Sequence, residues 1–179
     1  MTRDLKDVAL LSKNPEIDGF LDEFQKESDR AAAVLGAAML DELLCRLLAA
    51  RFVTEHLADQ LLSGTRPLGT FSARITLAEA VGLISPEEAR DLHTIRGIRN
   101  DFAHRLNGMS FDMPSVRDRC ANLQGAHRTL ELPGNSRFAE VYPRTWRSIF
   151  NLAVSVAMVH INYRMEQVQR IVPAQYLIA

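Results

Sequence analysis

The densest chemistry in the chain lies between Ile95 and His104, which read Ile-Arg-Gly-Ile-Arg-Asn-Asp-Phe-Ala-His. Arg99 and His104 stand five positions apart, with Asn100 and Asp101 between them. Histidine changes charge near neutral pH, so it can take a proton and return it within one reaction. Arginine stays charged and presents a planar fork that matches phosphate oxygens. Together they suffice for phosphodiester cleavage without a metal: His104 would move protons and Arg99 would hold developing negative charge. The same residues also make an ordinary polar end to a surface helix. The sequence leaves both readings open.

The helix that carries these residues sets the geometry. At 3.6 residues per turn, Asn100 and His104 share a face, whereas Arg99 and His104 are about 140° apart around the axis. Arg99 falls nearer the apolar side. Convergence of the two would need a turned helix end at Ala103–His104, or a second copy of the chain. His93, Arg96, Gly97, Asn100 and His104 form a nearly continuous polar face. Gly97 in its middle costs about 1 kcal/mol relative to alanine. Close approach of another helix or a ligand would offset that cost, which suits a homodimer. Arg96, Gly97 and Asp101 are therefore candidate binding or interface residues.

Asp41 and Glu42 are the other candidates, because they interrupt the most apolar helix of the chain. They would either serve the site, against Arg99 or His104, or form an inter-helix salt bridge with Arg96 or Arg99. A lone charge at such a position would be costly.

The remaining pattern is helical nearly throughout. Ile17, Phe20, Leu21 and Phe24 form an i, i+3, i+4, i+7 stripe over about Pro15–Ser28. The stretch from about Asp29 to Val53 is apolar on most faces and is predicted to be the central helix. A short helix over about Thr54–Leu62 stops at Ser63–Pro67. Thr70–Val81 is predicted to be helical and to end at Gly82. Ser85-Pro86-Glu87-Glu88 is the clearest start signal: an N-cap serine, a first-position proline and a glutamate placed to close a capping box. From there Leu92, Ile95, Ile98, Phe102 and Leu106 point to the core. One helix is expected from Asp112 to about Leu130, and another from about Arg144 to Val172. The expectation is an all-α, single-domain bundle of about six to seven helices spanning 1–179.

Composition narrows the function. With 179 residues and 47% hydrophobic content the chain can bury one sizeable core. The net charge of −1 and a pI near 6.5 leave no global footprint for nucleic acid. Arg117, Arg119, Arg128, Arg144, Arg147, Arg164 and Arg170 tilt the C-terminal half basic. They would form a phosphate groove or, with Asp118, Glu131 and Glu140 among them, solvated faces. Cys45 and Cys120 match no ligand spacing and suit reduced, buried thiols. His56, His127 and His160 are scattered, so neither a metal nor a cofactor is expected. The apolar run Ala31–Leu40 is far short of the roughly 20 residues that span a bilayer. The N-terminus lacks the apolar stretch of an export signal, and a cytoplasmic protein is expected.

Two family resemblances rest on quoted residues. Gly64-Thr-Arg-Pro-Leu-Gly-Thr-Phe-Ser-Ala-Arg-Ile-Thr-Leu-Ala-Glu-Ala-Val-Gly-Leu-Ile84 resembles the signature of the mannitol operon repressor (MtlR-like) family. The Ala-rich helix before it and the Leu92–His104 helix after it fit the same pattern, so the similarity covers about residues 28–119. It implies a bacterial, cytosolic, all-helical regulator of transcription without a recognised DNA-binding motif. Arg99-Asn100-Asp101-Phe102-Ala103-His104 is similar to the Arg-x4–6-His motif of the HEPN superfamily of helical bundles. That resemblance places Arg99, Asn100 and His104 in a candidate catalytic site. It also implies a dimer, and in active members cleavage of RNA without metal. The function expected from both is a transcription-linked regulator working through protein–protein contacts, without direct DNA reading. The alternative is a metal-independent endoribonuclease using Arg99 and His104.

Overall fold

The computed structural model describes residues 15–105, 108–131 and 144–175. Its elements are α1 (Pro15–Phe24), α2 (Asp29–Arg51), α3 (Glu55–Leu62), α4 (Phe71–Ala80), α5 (Pro86–His104), α6 (Pro114–Cys120), α7 (Gln124–Glu131) and α8 (Trp146–Met165). No strand occurs among the described residues, and the all-α expectation holds. The expected core residue Leu106 lies outside the described residues, as do Glu140 and the side chain of Ile17.

Two long helices form the centre. α2 buries Ala33, Ala37, Leu40, Leu44 and Leu47, and α8 packs along it with Phe150, Leu152, Val154 and Met158 fully inside. α5 lies against α2 through Leu92, Ile95, Ile98 and Phe102, and α4 packs beside α5. The predicted capping box at the start of α5 is present: Ser85 accepts from the Glu88 amide, and Glu88 accepts from the Ser85 amide at 2.8 Å.

Tertiary contacts moved two expected boundaries. The helix expected from Asp112 to Leu130 is two helices. The Asp91 carboxylate accepts from the amides of Gln124 and Gly125, at 3.0 and 2.7 Å, and so caps a new start at α7 while Leu123 is buried at the turn. The terminal helix ends at Met165 instead of Val172. The chain beyond it bonds to the end of α2, the Ile171 amide donating to the Arg51 carbonyl and Arg51 to the Gln169 carbonyl. Cys120 is buried, and burial pushes its thiol up to about 12, whereas Cys45 is only half-buried against the core. Among the described residues no helix is long and apolar enough to cross a membrane.

Candidate functional site

Helix α5 continues without a turn through His104. Its last carbonyls would be left without helical partners, and Arg30 from the first turn of α2 supplies them. Arg30 donates to the Phe102 carbonyl through Nη1 and to the Arg105 carbonyl through Nη2 at 2.6 Å. The end of α5 is thus held straight, and His104 stands exposed as its last residue. Arg99, placed by the sequence nearer the apolar side, is also exposed, and its Nη1 donates to Asn100 Oδ1 at 2.9 Å.

Arg96, Arg99, Asn100, Asp41 and Glu42 meet at one cleft of about 470 Å³ between α2, α4 and α5. Gly69 to Ser72, at the start of α4, form its third wall together with Arg74. Gly97, Asp101 and His104 do not line it. Five of the eight sequence candidates therefore share a site, but the arginine and histidine of the motif are not brought together within one chain.

Asp41 does not pair with Arg96 or Arg99 as expected. Its partner is Arg74, whose Nη1 donates to Asp41 Oδ1 at 2.6 Å. Arg74 also donates to the carbonyls of Leu62 and Leu68, so one side chain ties α2 to the connector before α4. Burial raises the Asp41 pKa, and the Arg74 hydrogen bond and charge do not fully offset that. Glu42 pairs with Arg46 on its own helix at 2.8 Å. No sequence signal marks Arg74, because the 70–81 segment shows only an apolar stripe and no spacing joins residue 74 to residue 41.

Gly97 has a neighbour within the same chain. A Cβ there would lie 3.1 Å from Nη1 of Arg119, which reaches across from α6 to pair with Asp101 at 3.0 Å. The close approach that offsets the glycine is therefore met by an arginine side chain. Arg117, Arg119, Arg147, Arg164 and Arg170 each have a carboxylate partner within the chain, which supports solvated or structural roles over a phosphate groove.

At the other end of α5 a larger concavity, of about 640 Å³, opens between α5, α7 and α8. Its wall is mainly apolar, from Leu92, Ala153, Val156 and Ile161, and Tyr163 lies exposed at it. Glu88 is its charged centre. His160 Nδ1 donates to it at 3.0 Å and Arg164 at 2.8 Å. Burial alone would raise the Glu88 pKa. The hydrogen bonds from His160 and the Ser85 amide and the Arg164 charge outweigh it, bringing the value down to about 2. Asp91 beside it is raised by burial despite its two backbone hydrogen bonds. Among the described residues no cluster of His, Cys, Asp and Glu could hold a metal ion.

No family model and no curated protein matches the chain by sequence. A solved structure does match by fold: a chain in the X-ray structure of the MtlR–HPr complex from Escherichia coli. The superposition has a TM-score of 0.66 at 20% identity, covering 82% of this chain and 98% of that one. The bundle described above is thus an MtlR-like fold.

Proposed function

We propose that this protein is a transcription-linked regulator that acts by binding another protein, with an HPr-like protein as partner. The observation that carries the reading is the fold match over nearly the whole of a chain crystallised in a complex between MtlR and HPr. The surface is consistent with it: the charge balance is close to neutral, and Arg117, Arg119, Arg147, Arg164 and Arg170 are already paired with carboxylates. Direct reading of DNA would need a basic face and a helix free to enter a groove. Isothermal titration of the full chain with purified HPr tests the proposal. A saturable complex with a Kd of roughly 10 μM or tighter is expected. No heat and no co-elution at high micromolar concentration would overturn the choice of partner. A tight, sequence-specific operator shift at about 150 mM salt would overturn the indirect mode of action.

The alternative endoribonuclease reading draws less support. Arg99 borders the cleft while His104 stands outside it. Joint action on one phosphate would require a second copy of the chain to supply one of the two.

A further inference from the structure

Arg96 is the least explained charge among the described residues. It is partly buried, its Nε is sealed from solvent, and it has no hydrogen-bond or ion-pair partner among the described residues. A guanidinium partly withdrawn from water without an ion-pair partner carries a desolvation cost. Its field is felt by His93, whose pKa is lowered by burial and then by the Arg96 charge. Arg99, on the same helix, has only the neutral Asn100 oxygen as a hydrogen-bond partner among the described residues, and its charge acts on Asp41 without forming a salt bridge. Both arginines open onto the 470 Å³ cleft.

The facing wall adds donors. Thr70 caps α4, its hydroxyl taking the Ala73 amide and its carbonyl the Arg74 amide. The amides of Phe71 and Ser72 belong to the first turn and have no partner within the helix. Phe71 and Ser72 line the cleft at the end of α4 where the helix dipole is positive. This wall is held in place. A Cβ on Gly69 would fall 1.9 Å from the Gly64 carbonyl oxygen, and Arg74 fastens the connector on both sides of that turn.

We propose that this cleft binds a small phosphomonoester, its phosphate held by Arg96, Arg99 and the Phe71 and Ser72 amides. Two guanidinium groups and two amides offer more hydrogen bonds than a carboxylate can accept, whereas three terminal phosphate oxygens can use them. The carboxylates of α2 are each met by an arginine, Asp41 by Arg74 and Glu42 by Arg46, which weakens their repulsion of a phosphate. Both line the cleft, and their acceptors suit an organic part carrying hydroxyl or amine groups. The volume is of the size of small-molecule sites.

Calorimetry and thermal melting of the full chain in low salt test the assignment, with inorganic phosphate, glycerol 3-phosphate and AMP as probes and glycerol and sulfate as controls. At least one of the two esters should bind more tightly than inorganic phosphate and sulfate, and raise the melting temperature. Arg96→Ala should weaken that binding about tenfold or more. Arg99→Ala, at an exposed position where folding is not at stake, should weaken it several-fold, about fivefold. Arg128→Ala, at the other concavity, should leave it unchanged. The proposal falls if no probe binds at millimolar concentration, if glycerol binds as well as its phosphate, or if Arg99→Ala binds like the wild type. The measurement does not involve HPr, so this assignment and the proposed function can fail separately.

Discussion

The two concavities sit at opposite ends of one helix, α5, and treat their charges in opposite ways. In the apolar groove each charged group central to it is answered from within the chain. Glu88 is held by Ser85, His160 and Arg164, and Asp91 by the amides of Gln124 and Gly125. Those charges close helix ends and fasten α5 to α7 and α8. In the polar cleft Arg74, Asp41 and Glu42 are answered that way, whereas Arg96 and Arg99 form no salt bridge among the described residues. An internally satisfied charge is best understood as part of the scaffold. A half-buried arginine left without a salt bridge beside a cleft is better explained by something that binds.

Substitutions that respect this division should give graded effects. Arg74 lines the cleft yet is satisfied like a groove residue, so it should behave as scaffold. Arg74→Ala leaves Asp41 partly buried and unpaired and two carbonyls without a donor, and should cost about 3 kcal/mol in chemical denaturation. A loss below about 1 kcal/mol would mean that the cleft wall does not depend on it.

The next effect is pH-dependent and belongs to the groove. The pKa of Glu88 lies at about 2 when folded, against an ordinary value of 4.5. A carboxylate lowered by folding stabilises the protein fully above its unfolded value and loses that contribution as the pH falls through the folded one. Glu88→Gln should therefore be less stable than the wild type by about 2 to 3 kcal/mol at pH 6. The gap should close between pH 4.5 and about 2. Asp41 and Asp91, both raised, run the other way, and their contributions are lost as the pH rises. Parallel stability curves for the two proteins down to pH 2 would remove Glu88 from its central place.

The smallest effect lies between the two regions. Gly97→Ala removes a helix-weakening residue, and its Cβ meets only the far end of the Arg119 side chain. A net gain of about 0.5 kcal/mol is expected, visible as a higher melting temperature, provided that Arg119 keeps Asp101. A loss would show that the Arg119 guanidinium is fixed over Gly97 and that the pair is part of the scaffold.

Much of this fold follows from local rules. The capping box at Ser85–Glu88, the apolar periodicity of α2, α4 and α5, and the stop at Gly82 are matters of neighbouring residues, and the structure bears them out. The sequence also singled out the five residues that meet in the cleft, since an amide, two arginines and an acidic pair are unusual on such helices. It could not say that Arg74 would take Asp41 and leave Arg96 and Arg99 open. It could not foresee that Asp91 would split a helix across 33 positions, or that Arg30 would hold the end of α5 straight and keep His104 apart from the cleft. Helix periodicity acts over three or four residues and is written in the chain. Which charge answers which is settled only when packed helices bring distant side chains within hydrogen-bond reach, and burial makes every unpaired charge costly.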